Sequence, residues 1–190
     1  MTDHPETTAF YRQRLPHWLV ADGVYFVTIS AYGAIPREVA EEIRKESKCL
    51  LHYRGNDLLE RKREILRKKE MWLDRTDAAN VLATPPVAQM IQEAIAHRAA
   101  REVWRVYAYV IMPSHLHLLV EPLAGELPDV LKDFKRWTGH QGIRLTLAPD
   151  KRFWADEWFD HWSRSPEYGE KIVEYIQQNP VKAGLVKDYT

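Results

Sequence analysis

Two histidines separated by one residue are the first feature of this sequence that could support metal chemistry. His115 and His117 begin a β-prone stretch, and side chains two positions apart on a strand point to the same face. Two imidazoles on one face can share a cation. A bare His-x-His is equally compatible with two partly buried, hydrogen-bonded histidines, so both interpretations stay open at this point.

A tyrosine and an asparagine four residues apart form the second feature. Tyr175 and Asn179 lie in a helix-prone stretch, where this spacing places them one turn apart on the same face. A phenol is a poor nucleophile unless its phenolate is stabilised or its proton is taken, and an asparagine carbonyl oxygen is a hard metal ligand. The alternatives are an aromatic that packs the helix on a sheet and an asparagine that ends the helix.

The elements that must position these residues begin with three predicted strands. Stretches rich in β-branched and aromatic residues predict strands at 24–30, 103–112 and 116–120. Only Pro113 and Ser114 and the first histidine separate the last two stretches, so we expect them to pair as antiparallel neighbours.

Helical patterns fill most of the remaining chain. They predict helices over about 37–69, 87–99, 127–147 and 166–178, with Asn179-Pro180 ending the last one. The order strand, helices, two strands, two helices predicts an α+β fold with an antiparallel sheet and helices packed on it. A ferredoxin-like arrangement is its simplest form.

Two segments carry a resemblance to a known family. The stretch YVIMPSHLHLLV (109–120) resembles the HUH strand of REP-associated tyrosine transposases, which are related to small single-tyrosine insertion-sequence transposases. The stretch YIQQNPVKAGLV (175–186) resembles their tyrosine helix. The resemblance runs from about residue 14 to 187, and the pairing of the two segments makes it specific.

This resemblance implies a ferredoxin-like HUH endonuclease fold in a single domain over 1–190. A charged helical insertion at about 37–85 departs from the family's pattern, and its role stays open. The resemblance implies that His115, His117 and Asn179 bind Mg²⁺ or Mn²⁺. Tyr175 would attack a phosphate in single-stranded DNA, leaving a 5′-phosphotyrosine and a free 3′-OH. The substrates implied are hairpin-forming palindromic repeats. The alternative is a regulator that binds repeat DNA without cutting it.

Two basic stretches are candidates for contacts with DNA phosphates. One is a helix face with residues four apart, Lys132, Arg136, His140 and Arg144; the other lies in the insertion and contains Arg61, Lys62, Lys68 and Lys69. An ordinary solvated helix face is the alternative for the second stretch. Candidates for stacking on bases are Trp137, Trp154, Trp158 and Trp162, for which core packing is at least as good an interpretation.

Composition sets the remaining expectations. The 190 residues carry 27 basic and 27 acidic side chains, a net charge of zero that mildly disfavours nucleic-acid binding. Cys49 is the single cysteine, which excludes a disulfide framework and a cysteine-based zinc site. No apolar run is long enough for a membrane span, so we expect no membrane partner. The single cysteine fits a cytoplasmic compartment, and the resemblance implies association with the nucleoid. The resemblance leaves a monomer and a homodimer open.

Overall fold

The chain folds around a four-stranded antiparallel sheet. The computed structural model describes residues 7–12, 16–53, 55–75, 79–147 and 152–188. A separate hairpin, β1 (Thr7–Arg12) with β2 (Pro16–Val20), precedes the main sheet. The sheet contains β3 (Tyr25–Ala31), β4 (Trp104–Ile111), β5 (His115–Pro122) and β6 (Trp154–Trp162), in the order β4-β5-β3-β6.

Five α-helices are found within the described residues. They are α1 (Arg37–Cys49), α2 (Gly55–Leu73), α3 (Pro85–Ala100), α4 (Leu127–Thr146) and α5 (Pro166–Lys182). The chain order β3-α3-β4-β5-α4-β6, together with the strand order of the sheet, is the ferredoxin-like topology. The α+β, ferredoxin-like prediction is therefore confirmed, with α1 and α2 lying between β3 and α3.

The two faces of the sheet bury different kinds of side chain. On one face, Ile29, Leu116 and Leu118 pack against helices α3 and α4 in the main hydrophobic core. On the other face, Phe26 and Leu119 pack against α5 in a smaller cluster. Because strand side chains alternate, the two histidines of β5 lie on the second face, which we call the α5 face.

The insertion helices α1 and α2 are held together by apolar and ionic contacts. Ile43 of α1 and Ile65 of α2 share a small buried cluster with Leu50. The Lys68 ammonium lies 2.7 Å from a carboxylate oxygen of Glu42 and 2.8 Å from one of Glu46. These contacts fix α2 against α1, and the last turns of α2 reach the α5 face.

Three sequence predictions of secondary structure need correction. The predicted helix over 37–69 is interrupted by a 3₁₀ turn at Leu50–His52 and resumes at Gly55. Strand β6 and the β1–β2 hairpin were not predicted. In β6, four acidic or histidine side chains interrupt the aromatic residues and weaken the β signal.

The third correction concerns the end of the last helix, which does not stop before Asn179-Pro180. Proline removes one N–H, yet α5 continues to Lys182, and the amide of Ala183 still donates to the Asn179 carbonyl at 3.0 Å. The chain turns away at Gly184, whose φ of +68° is the left-handed conformation that ends many helices. Asn179 is thus inside the helix and held in its regular geometry.

None of the described helices is both long enough and apolar enough to cross a membrane.

Candidate active site

Strand pairing places two hydroxyl side chains directly opposite the histidines. In the β3–β5 register, Thr28 lies opposite His117 and Ser30 lies opposite His115. All four side chains are buried on the α5 face. The sheet therefore presents a compact polar patch in a layer that is otherwise apolar.

The hydrogen bonds of His115 determine which ring nitrogen carries its proton. The hydroxyl of Ser114 donates to the carbonyl of Leu73 at 2.5 Å and lies 2.9 Å from Nδ1 of His115. Because a serine hydroxyl has only one proton, it must accept from Nδ1–H. The Nε2 atom of His115 consequently presents a lone pair, as a metal ligand does.

The second histidine faces the first through the corresponding nitrogen. The Nε2 atoms of His115 and His117 are 3.0 Å apart, and Nδ1 of His117 lies 2.9 Å from the Thr28 hydroxyl. A hydroxyl can donate or accept, so Thr28 can support either tautomer of His117. It can therefore hold the ring in place whether or not Nε2 is committed to a cation.

Both histidines are neutral at physiological pH. Burial lowers the pKa of His115 to about 3, with a smaller contribution from the Lys69 ammonium. Burial, followed by His115 and Lys69, lowers the pKa of His117 well below its usual value. Neutral imidazoles are the form that binds metals.

The predicted nucleophile lies beside the histidines. The ring of Tyr175, on α5, contacts His117 with 5.6 Å between ring centroids and Phe26 with 5.7 Å. Its hydroxyl donates to Oε1 of Glu70 at 2.5 Å. Burial, and then the negative charge of Glu70, raise the pKa of Tyr175, so the phenol is protonated at rest. This contact joins α5 to β5 within one chain.

Asn179 supplies an uncommitted acceptor next to the tyrosine. A hydrogen bond from its side chain opposes part of the rise in the Tyr175 pKa. Its Oδ1 atom is buried and has no hydrogen-bond partner. A buried acceptor without a partner costs about 1–3 kcal/mol, so this atom is suited to a ligand.

The basic residues of α2 separate into different environments. Arg61 is exposed and pairs with Glu64 at 2.9 Å, and Lys68 is tied to α1. Lys62 is partly buried, and burial lowers its pKa to about 7. Lys69 is buried, and its charge acts on both histidines. Of the four predicted contacts in α2, Lys69 is the one that the structure brings to the polar patch.

The other predicted basic face lies away from this patch. Its residues are exposed along α4, a helix that packs on the opposite face of the sheet: Lys132, Arg136, His140 and Arg144. Their role in DNA binding stays a prediction, but they do not join the histidines and the tyrosine.

The tryptophan candidates are mostly core residues. Trp154 and Trp158 are buried, and their indole N–H groups donate to Thr138 at 2.8 Å and to Asp160 at 2.9 Å. Trp162 is half-buried at the edge of the core. Trp137, which is 44% exposed, remains available to stack on a base.

Sequence reasoning missed three residues of the site: Thr28, Ser114 and Glu70. Ser114 directly precedes the first histidine, so its position was a local signal. The contact of Thr28 depends on the strand register, and that of Glu70 depends on how the insertion packs. Neither can be obtained from local spacing.

Comparisons with known proteins bear on the fold and on part of the sequence. No family model matches the chain. The chain is 29% identical over 100 residues to the REP-associated tyrosine transposase of Escherichia coli (strain K12), a match that covers 52% of this chain and 58% of the relative. The chain thus spans less than two thirds of that relative. The fold matches the solved structure of a REP-associated tyrosine transposase bound to a REP hairpin, with a TM-score of 0.55 and 19% identity over 96% of this chain and 78% of that one.

The chain is similar to REP-associated tyrosine transposases. This finding confirms the resemblance drawn from the sequence. At 19% identity, the structural match supports the fold alone.

Proposed function

We propose that this protein is a metal-dependent transposase-like enzyme that cuts and transfers single-stranded DNA through Tyr175. The observation that carries the proposal is the meeting of functional groups from two segments that are distant in the chain, β5 and α5. These groups are the paired Nε2 atoms of His115 and His117, the hydroxyl of Tyr175 and the unpartnered Oδ1 of Asn179.

The histidines and Asn179 fit a divalent cation. Among the described residues there is no group of three or more His, Cys, Asp or Glu side chains able to hold a metal, and the third protein ligand in this proposal is the buried amide oxygen Oδ1 of Asn179. Two ligands at right angles around an octahedral cation, each about 2.1 Å from it, lie about 3 Å apart, and the Nε2 atoms are 3.0 Å apart. Imidazoles with an amide oxygen suit Mn²⁺ as well as Mg²⁺.

When bound, such a cation supplies electrostatic stabilisation to the charge that develops on the reacting phosphate. The protein's own residues orient the ligands and the nucleophile. Thr28 and Ser114 orient the two imidazoles, and the regular turns of α5 keep Tyr175 and Asn179 on one side of the site.

The reaction we propose is a transesterification. The Tyr175 oxygen attacks phosphorus, the bond from phosphorus to the 3′ oxygen breaks, and a 5′-phosphotyrosine and a free 3′-OH result. The number of phosphate ester bonds is unchanged, so the DNA can be rejoined to another 3′-OH without an external energy source. The substrate class we propose is hairpin-forming repeat DNA, and the place of action is the nucleoid in the cytoplasm.

The test is a covalent adduct assay. The protein is incubated with Mn²⁺ and labelled single-stranded DNA that carries the palindromic repeats flanking its own gene, and the products are run on a denaturing protein gel. We expect a labelled protein band that disappears with EDTA and in Tyr175→Phe.

Two other outcomes would overturn the proposal in different directions. Cleaved DNA without a labelled band would indicate a hydrolase that uses water. Binding on a native gel, with neither cleavage nor a band, would indicate a regulator that binds repeat DNA without cutting it.

A further inference from the structure

The α2 helix of the insertion reaches the proposed nucleophile through one carboxylate. Glu70 lies three residues before the end of α2 and accepts the Tyr175 hydroxyl at 2.5 Å, across 105 positions of sequence. Neither the sequence motifs nor the resemblance gave this residue a role. The contact joins the insertion to the atom that must lose a proton for the reaction to occur.

We propose that Glu70 is the general base that takes the proton of Tyr175, and that the α1–α2 insertion exists in part to supply it. This inference rests on the proposed function of Tyr175. A phenol needs either a lowered pKa or an adjacent base to become a nucleophile. A base must lie within hydrogen-bond reach, a heavy-atom distance of about 2.6–3.2 Å, and the Glu70–Tyr175 distance of 2.5 Å is at the short end of that reach.

The surroundings of Tyr175 make such a base necessary. A phenol has an ordinary pKa of about 10 and is neutral at neutral pH, and the Tyr175 hydroxyl donates its hydrogen bond to the Glu70 carboxylate. A carboxylate already bonded to the hydroxyl can take the proton as the new bond to phosphorus forms, which avoids a free phenolate in a buried site.

The surroundings of Glu70 suit it to this role. Burial raises its pKa, followed by the charge of Asp74, while the hydrogen bond from Tyr175 and the cations Lys182 and Lys69 act in the opposite direction. Lys69 and Asp74 lie on α2 itself or at its end, and Lys182 lies on α5. The result is a carboxylate more basic than an exposed one.

A direct metal-binding role for Glu70 is not what the geometry supports. Glu70, His115 and His117 do not form a metal-binding group of three, since none exists among the described residues. The carboxylate is directed to the tyrosine. The bracing of α2 by α1, through Lys68 and the Ile43–Ile65 contact, holds it there.

The proton balance of the step is complete. Tyr175 gives its proton to Glu70 as its oxygen bonds to phosphorus, and the departing 3′ oxygen takes a proton from solvent. Glu70 then returns its proton to solvent, so the carboxylate is regenerated. In the reverse reaction, which rejoins DNA, protonated Glu70 donates to the departing phenolate.

The experiment compares two identical substitutions on the same helix. Glu70→Gln keeps the shape of the side chain and an oxygen that can accept from Tyr175, but it cannot take a proton. Glu64→Gln is the matched control, because Glu64 is exposed and pairs with Arg61 at 2.9 Å. The readout is the single-turnover rate of adduct formation at saturating Mn²⁺, with DNA binding measured separately on native gels.

We expect Glu70→Gln to slow adduct formation by at least about 100-fold, with unchanged DNA affinity, and Glu64→Gln to match the wild type. The Glu70→Gln rate should recover as pH rises, since hydroxide replaces the missing base, while the wild-type rate rises less steeply. If Glu70→Gln fails to fold, Glu70→Asp carries the test: a base withdrawn by one methylene should be about 10–100-fold slower.

Two results would overturn the inference. If Glu70→Gln forms the adduct at the wild-type rate, the contact is structural, and if it is faster, the contact restrains the tyrosine. A wild-type protein that forms no adduct would instead overturn the proposed function, and the inference with it. The wild-type lane therefore distinguishes the two failures.

Discussion

The same two strands, β3 and β5, build two opposite environments. On the face covered by α3 and α4, residues such as Ile29, Leu116 and Leu118 are completely buried in an apolar core. On the α5 face, the intervening positions hold Thr28, His115 and His117, which are equally buried but polar. Burial alone therefore does not separate the core from the site.

The two faces differ in whether they bury polar groups that have no hydrogen-bond partner. The apolar face gains free energy from every buried side chain. The α5 face contains hydroxyl and amide oxygens, Ser30 Oγ and Asn179 Oδ1, that are buried without a partner, and it holds a buried cation, Lys69. Such groups lower stability and are retained where they bind something. Adjacent residues of one strand should consequently affect different properties.

The largest effect is expected for His117→Ala. Loss of one imidazole should reduce Mn²⁺-dependent adduct formation by at least about 1,000-fold, because the electrostatic contribution of a metal is worth several kcal/mol. The adduct assay with labelled DNA measures this, with circular dichroism as the control for folding. Wild-type adduct levels in this variant would remove the histidines from the site.

The neighbouring substitution, Leu118→Ala, should show the reverse. A fully buried leucine of the main core contributes about 2–5 kcal/mol to the free energy of unfolding relative to alanine. Urea denaturation measures this loss, while Mn²⁺ affinity per folded molecule should be unchanged. An equal loss of Mn²⁺ affinity in both variants would contradict the division between the two faces.

A finer comparison uses Thr28→Val and Ile29→Val, again adjacent and on opposite faces. Thr28→Val keeps the shape of the side chain but removes the hydrogen bond to Nδ1 of His117. Because loss of such a partner typically weakens metal binding about 10–100-fold, we expect Mn²⁺ affinity to fall about 10-fold or more. Ile29→Val should cost about 0.5–1.5 kcal/mol of stability and leave metal affinity as it is. Calorimetric titration with Mn²⁺ distinguishes the two.

The smallest effect concerns pH. Burial, together with Lys62, Arg164 and Arg63, lowers the pKa of His161 to about 4. Between about pH 6.5, the usual value for an unfolded histidine, and pH 4, the unfolded chain binds the proton and the folded one does not. Stability should therefore fall as pH decreases through this window. Urea unfolding measures the free energy of unfolding at pH 7 and pH 4.5, and the loss between the two should be smaller in His161→Gln than in the wild type. An equal loss in both proteins would assign the pH dependence to other groups.

Sequence alone predicted the parts of the site that depend on local periodicity. The period of two in β5 placed both histidines on one face, and the helical period in α5 placed Tyr175 next to Asn179. The fold class followed from the same patterns. That these two pairs meet came from the resemblance, and the contact between Tyr175 and His117 agrees with it.

Sequence could not predict what depends on tertiary packing. The spacing of Lys132 and Arg136 correctly placed them on one face of α4, but helical periodicity does not say which side of the sheet the helix covers. The charged run in α2 was interpreted from its sequence as one DNA-contacting surface, but Lys68 binds α1 and Lys69 is buried. Pro180 lies inside α5, although a proline removes one N–H and usually ends a helix.

The contacts that complete the site join segments far apart in the chain. Thr28 and His117 are 89 positions apart, and Glu70 and Tyr175 are 105 apart. A ribosome adds roughly 5–20 residues per second, so α5 follows α2 by on the order of 5–20 s. Throughout that interval the nascent chain has the Glu70 carboxylate but no Tyr175, and the two imidazoles of β5 are added part-way through it. Under the proposed function, the order of synthesis therefore leaves an unfinished molecule without the group that would cut DNA.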